Sequence, residues 1–226
     1  MSKPWLTLDE VATAEGALEL RQRGPRDFLI VVGGRVLMSS TAFRSEVALA
    51  EAACRPIRDR SQPQVLIGGL GMGLTLRAAL DVLPADARVV VAELNPVVER
   101  WCRGPLAALT QGATADPRVE VRVADVVDVL AAPPAKGWDA VALDLYEGPH
   151  AATQADDDPF YGRRALQRTR QVLASGGVFA VWSEDPDAAF ERRLGAAGFA
   201  VEVLHPGRGG RRHAVYVGRV ALGSQR

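Results

Sequence analysis

Apolar positions in this chain follow two rhythms, one repeating every second residue and one every three to four, and they alternate along most of its length. Residues 17–23 (ALELRQR) alternate apolar and polar, Gly24-Pro25-Arg26-Asp27 marks a turn, and residues 28–32 and 35–38 flank Gly33-Gly34. Two strands around a two-residue Gly-Gly loop predict a β-hairpin, so residues 1–40 are expected to form a small antiparallel β element. Residues 41–58 are apolar at helical spacing (Ala42, Val47, Ala50, Ala53), with Pro56 expected to stop the helix. From residue 65 strands and helices alternate. Strands are predicted over 65–68, 89–94, 119–123, 138–145, 178–182, 200–205 and 213–217. Helices are predicted from Leu74 through Leu83, and over 96–109, 126–131, 163–173 and 187–197, with Ser175-Gly176-Gly177 capping the fourth of these. Repeating βα units of this length imply a doubly wound, mostly parallel Rossmann-like α/β sheet over residues 41–226, with the last strand pair antiparallel.

The stretch 65–77, VLIGGLGMGLTLR, organises the prediction. A buried strand runs into Gly69, Gly71 and Gly73, and a helix begins at once. Glycines there permit positive φ and let a ligand approach the main chain without meeting a Cβ, while the helix start offers N–H groups to a polar ligand part. A dinucleotide fingerprint would require a third glycine where the chain has Leu74. The G-x-G-x-G spacing is instead typical of class I S-adenosylmethionine-dependent transferases. In such sheets ligands bind beyond the carboxyl ends of the strands, which singles out Glu93, 24 residues past Gly69, together with Asp125 and Asp144. Glu93 suits two ribose hydroxyls. Asp125, with Val126 beside it, suits an adenine amino group, although Asp125 serves equally well as a helix N-cap.

Composition narrows the partners. The 226 residues suit one sizeable domain with a small appendage, and 27 basic against 27 acidic residues leave no net charge to draw the chain to nucleic acid or an anionic membrane. A small-molecule acceptor is therefore expected. The arginine-rich tip at 208–212 reads first as a solvated loop and second as a holder of an anionic substrate. No apolar run approaches a membrane span and the N-terminus lacks a signal core, so a cytoplasmic location is expected. Cys54 and Cys102 have neither disulfide nor zinc spacing and are expected as buried helix residues, and no histidine spacing predicts a metal.

Residues 65–77, Glu93, Asp116-Pro117-Arg118-Val119, Asp125, Trp138-Asp139 through Asp144, and Gly176-Gly177-Val178-Phe179 resemble the spermidine synthase (polyamine aminopropyltransferase) family. The resemblance implies an N-terminal β-hairpin domain ahead of a class I methyltransferase-type domain. It implies a donor, S-adenosylmethionine or its decarboxylated form, held by Gly69, Leu70, Gly71, Met72, Gly73, Glu93, Asp125, Val126 and Asp144. The apolar N-terminal hairpin makes a homodimer the expected assembly. Asp144 matches the family residue that orients and helps deprotonate the attacking amine, with Glu147 in support, and Glu46 matches an acceptor-binding acid. Tyr146 and Trp182, near strand ends, are expected to wall the acceptor pocket. The family's G-G-G-D-G-G turn places its Asp, which helps hold the amine of the decarboxylated donor, at Met72. An apolar Met72 neither attracts that ammonium nor repels a carboxylate, so transfer of a methyl or other group from intact S-adenosylmethionine is the leading expectation. Aminopropyl transfer, a non-catalytic ligand-sensing role and a nicotinamide-dependent oxidoreductase are the alternatives.

Overall fold

A computed structural model describes residues 3–146, 148–153, 155–207 and 213–222. Four strands, β1 (Leu6–Thr13), β2 (Gly16–Gln22), β3 (Phe28–Val32) and β4 (Arg35–Ser39), form an antiparallel sheet in sequential order. The predicted Gly33-Gly34 hairpin joins β3 and β4, but the element holds two more strands than that hairpin. β1 escaped prediction because it is an edge strand with little burial, Leu6 being 64% exposed. The two hairpin turns pack so closely that a Cβ on Gly16 would lie 2.9 Å from Gly33 Cα.

Helix α1 (Arg44–Cys54) then leads through a 3-10 turn containing Pro56 into the main sheet. Its strands are β5 (Gln64–Gly68), β6 (Arg88–Glu93), β7 (Val119–Val123), β8 (Trp138–Leu143), β9 (Leu173–Ser183), β10 (Ala200–Leu204) and β11 (Ala214–Arg219), in the order β10-β11-β9-β8-β5-β6-β7. Pairing is parallel from β9 to β7 and antiparallel at β11. The connecting helices are α2 (Leu74–Val82), α3 (Pro96–Arg103), α4 (Val126–Ala131), α5 (Arg163–Val172) and α6 (Ala188–Ala196).

Alternation along the buried strands sends side chains to both faces. Val65 and Ile67 of β5 join α1, α2 and α3 in one core, and Leu66 joins α4, α5 and α6 in the other. Leu18, Leu20, Phe28 and Ile30 of the small sheet belong to the first core. Cys54 and Cys102 are buried in helices, and burial pushes each thiol up to about 12.

Two predicted boundaries move. Gly104 and Pro105 end α3 early, leaving only a 3-10 turn at Ala107–Leu109. The supposed cap at 175–177 lies within β9, which starts at Leu173 directly after α5 and absorbs Gly176, at φ +65°, in a register shift against β8. Among the described residues no helix is long and apolar enough to cross a membrane.

Candidate active site at the carboxyl edge of the sheet

Strand order reverses between β5 and β8, and a cavity of about 500 Å³ opens there, at the carboxyl ends of the parallel strands. It is lined by Gly69 and Gly71 after β5, Glu93 after β6, Asp125 and Val126 after β7, and Asp144 and Tyr146 after β8. Trp182 of β9, Glu46 of α1 and Met38 of β4 complete the named walls. A larger groove at the opposite edge, bounded by Gln62, Arg88, Arg122 and Trp138, holds none of these residues.

The donor side is built by main-chain hydrogen bonds. Gly69 N–H donates to Ala92 O at 2.8 Å, and Gly69 at φ +88° has the Asp144 carbonyl where a Cβ would stand. Gly71 has φ +51°, and a Cβ there would lie 2.5 Å from Met38 Sδ, so the small sheet packs directly onto the turn. Glu93 is 7% exposed, its Oε2 accepting from Leu70 N–H at 2.9 Å and its Oε1 from Asn95 N–H at 2.8 Å. Two anchored oxygens, each with a further lone pair, suit a pair of vicinal hydroxyls. Asp125 is the helix N-cap that one of its readings expected. It caps α4 through Oδ1, which accepts from Val127 N–H at 2.9 Å, and it also lines the cavity, where Oδ2 can accept a further hydrogen bond.

Acids dominate the acceptor side. Asp144 receives Thr75 Oγ1–H on Oδ2 at 2.5 Å, but burial, with the Glu46 charge adding to it, pushes its carboxyl up to about 7. Glu46 is 7% exposed in the first turn of α1. Burial raises it too, against the Ser45 hydroxyl that donates to Oε2 at 2.6 Å. At the rim Arg35 pairs with Glu184 at 2.9 Å and lies 5.2 Å above the Tyr146 ring. Trp182 and His213 stack with centroids 5.2 Å apart.

Three expected donor contacts face elsewhere. Met72 is fully buried in the hydrophobic core and does not line the cavity, so its side chain cannot choose between donors as the sequence suggested. Leu70 is core as well and contributes its N–H to Glu93, while Gly73 turns toward Thr110 as the left-handed N-cap of α2. Glu147 and the 208–212 loop lie outside the described residues. Ser45, Thr75, Glu184 and His213 were missed. Only Thr75 stood in a motif, and the others reach the cavity through pairings that the sequence pattern does not express.

A doubly wound sheet with a glycine turn and strand-end carboxylates around one cavity defines a fold of the class I methyltransferase type. No protein-family model matches the sequence. Polyamine aminopropyltransferase 2 of Streptomyces coelicolor is 33% identical over 184 residues, 79% of this chain and 32% of that protein. Polyamine aminopropyltransferase of Aeropyrum pernix is 30% identical over 162 residues, 71% of this chain and 49% of that one. The matches to these two relatives thus span about a third and about half of their length. Spermidine synthase from Thermotoga maritima superposes with a TM-score of 0.77 at 18% identity, over 96% of this chain and 73% of that one. In sequence the chain is similar to polyamine aminopropyltransferases, and its fold is that of spermidine synthase.

Proposed function

We propose that this protein transfers the aminopropyl group of decarboxylated S-adenosylmethionine to a small amine. The observation that carries the reading is the buried Glu46 and Asp144 pair in the cavity that holds the glycine turn. Six acids line that cavity (Glu15, Glu46, Glu93, Asp125, Asp144, Glu184), and the lining bases among the described residues are Arg35, already paired with Glu184, and His213. The decarboxylated donor brings a sulfonium and an ammonium, both cations, and an amine acceptor brings more positive charge. The carboxylate of intact S-adenosylmethionine would instead face acids, which is unfavourable where water is excluded. With Met72 in the core, the argument for the intact donor and methyl transfer loses its basis. The names of the relatives support the same substrate class.

The donor fits the residues present, because the Gly69 and Gly71 turn lines the cavity and Glu93 and Asp125 keep acceptor capacity there. It supplies an activated carbon beside its sulfonium, so the protein's work is positioning and freeing a nucleophile. Glu93 holds the ribose, Asp125 the adenine amino group, and Val126 offers apolar contact. Asp144 and Glu46 orient the acceptor amine, between walls formed by Trp182 and Tyr146.

Calorimetric titration with S-adenosylmethionine, its decarboxylated form and methylthioadenosine tests the donor, and methylthioadenosine release with putrescine tests the reaction. Decarboxylated donor is expected to bind more tightly and to turn over. Tighter binding of the intact donor, with methyl transfer, would overturn the reading.

A further inference from the structure

We infer that Thr75 is a positioning residue of this site, holding Oδ2 of Asp144 so that Oδ1 is the oxygen presented to the acceptor amine; the inference rests on the transfer reaction proposed above. Thr75 stands in the first turn of α2, two residues past its N-cap Gly73, and is 2% exposed. Its hydroxyl donates to Asp144 Oδ2 at 2.5 Å. Main-chain contacts tie Asp144 to the glycine turn as well. Its N–H donates to Gly68 O at 2.8 Å, and its carbonyl fills the space beside Gly69 where a Cβ would stand. The backbone of Asp144 is thus fixed by the end of β5, and its carboxylate by the helix that follows the same turn. Oδ1 has no hydrogen-bond partner among the described residues, on a side chain that lines the cavity.

An aspartate carboxylate turns about its last bond with a broad, roughly two-fold preference. An oxygen that must meet an amine at one place in the cavity therefore needs its twin held, and a hydroxyl does this without neutralising the charge as an arginine would. With Oδ1 left for the amine, the acceptor's N–H bond breaks with its proton passing to Oδ1. The freed pair forms the N–C bond to the donor's methylene carbon, and the C–S bond breaks with its pair going to sulfur. The hydroxyl has a second effect, because a hydrogen bond donated to the carboxylate favours the charged form. It offsets part of the burial that pushes Asp144 up to about 7, so the base ionises at a lower pH than it would without Thr75. The titratable groups that act on Asp144 are Glu46 from α1 and Tyr161 from the segment before α5. The rest of the cavity wall carries Glu15, Glu93, Asp125, His213 and the Arg35 and Glu184 pair.

The test uses the whole chain with decarboxylated S-adenosylmethionine and putrescine, and the variants Thr75→Val, which keeps the shape without the hydroxyl, and Thr75→Ser, which keeps the hydroxyl. In Thr75→Val the acid limb of kcat against pH is expected to move up by about one unit, so that kcat on that limb falls about tenfold while donor affinity holds. Thr75→Ser should bring the limb back. Should Thr75→Val not fold, Thr75→Cys, a weaker donor of similar size, carries the test with a smaller upward shift. A limb that stays in place overturns the inference and leaves the transfer reaction standing. So does a limb that moves to lower pH, as it would if the hydroxyl accepted from a protonated carboxyl, and so does a shift that Thr75→Ser fails to reverse. A wild-type protein that releases no methylthioadenosine overturns both. Independently of turnover, carbon-13 NMR of the Asp144 carboxyl in the free protein should show the same upward shift in Thr75→Val; an unchanged titration would overturn the inference.

Discussion

The two halves of the cavity handle their acids in opposite ways. On the donor side, Glu93 and Asp125 spend oxygens on main-chain N–H groups at 2.8 to 2.9 Å, so the fold itself aims them. On the acceptor side, Asp144 and Glu46 have hydroxyl partners, Thr75 and Ser45, and are left in a low-dielectric space where their charges oppose each other. One half is positioned and the other is loaded. Positioning suits a large ligand read by shape and hydrogen bonds; a desolvated acid pair suits a compact cation whose arrival relieves the repulsion.

Removing one of the loaded acids is expected to have the largest effect. Asp144→Asn keeps an oxygen for the Thr75 hydroxyl but no charge for the amine, so turnover should drop about 10³-fold with donor affinity nearly unchanged, measured as methylthioadenosine release. The same residue sets a pH signature of the free protein. Its folded pKa of about 7 lies above the 3.8 of an ordinary Asp, so between those values the folded state binds more protons than the unfolded. Stability from this group is therefore complete below about 4 and is lost as pH rises towards 7, by a few kcal/mol at most. Urea unfolding at pH 5 and pH 8 should show that decline in the wild type and much less of it in Asp144→Asn. Equal pH dependence in the two would mean that Asp144 is ionised in the empty cavity, and the contrast between the halves would go with it.

A positioned acid should fail differently. In Glu93→Gln one amide oxygen replaces one carboxylate oxygen, but the NH₂ group must then face Leu70 N–H or Asn95 N–H, a donor against a donor. The turn loosens and the ribose loses an acceptor. Donor affinity is expected to fall about 30-fold, in line with roughly 2 kcal/mol for a charge-assisted hydrogen bond. kcat at saturating donor should stay within about threefold. A kcat loss as large as that of Asp144→Asn would erase the distinction between aiming and loading.

How legible these halves were in the sequence follows from what fixes each of them. Donor-side residues sit at or just past strand ends, so Gly69, Gly71, Glu93 and Asp125 were found by locating those ends, and Asp144 of the acceptor side was found in the same way. The acceptor side depends on pairings distant in sequence. His213 reaches the cavity because β11 returns antiparallel to β9, and Met38 meets Gly71 because the small sheet packs on the main one. Tertiary juxtaposition of that kind leaves no periodic trace. Met72 misled for a third reason: a motif position predicts where the backbone goes, whereas within a tight turn of positive-φ glycines the direction of a side chain depends on each dihedral angle.

The smallest effect settles that last point. If Met72 belongs to the core, Met72→Leu is a swap of similar volume between flexible apolar side chains and should cost less than about 1.5 kcal/mol. It should also leave the ratio of affinities for decarboxylated and intact S-adenosylmethionine unchanged. Met72→Asp then becomes a test of burial: a carboxylate forced into the apolar core that Met72 occupies is desolvated, and the protein should lose stability whether or not a donor is present. A folded Met72→Asp protein with an altered donor ratio would return the residue to the cavity and the choice of donor to the glycine turn. A destabilised protein whose remaining folded fraction keeps the wild-type ratio would leave that choice with the lining acids, where the charge of the cavity already places it.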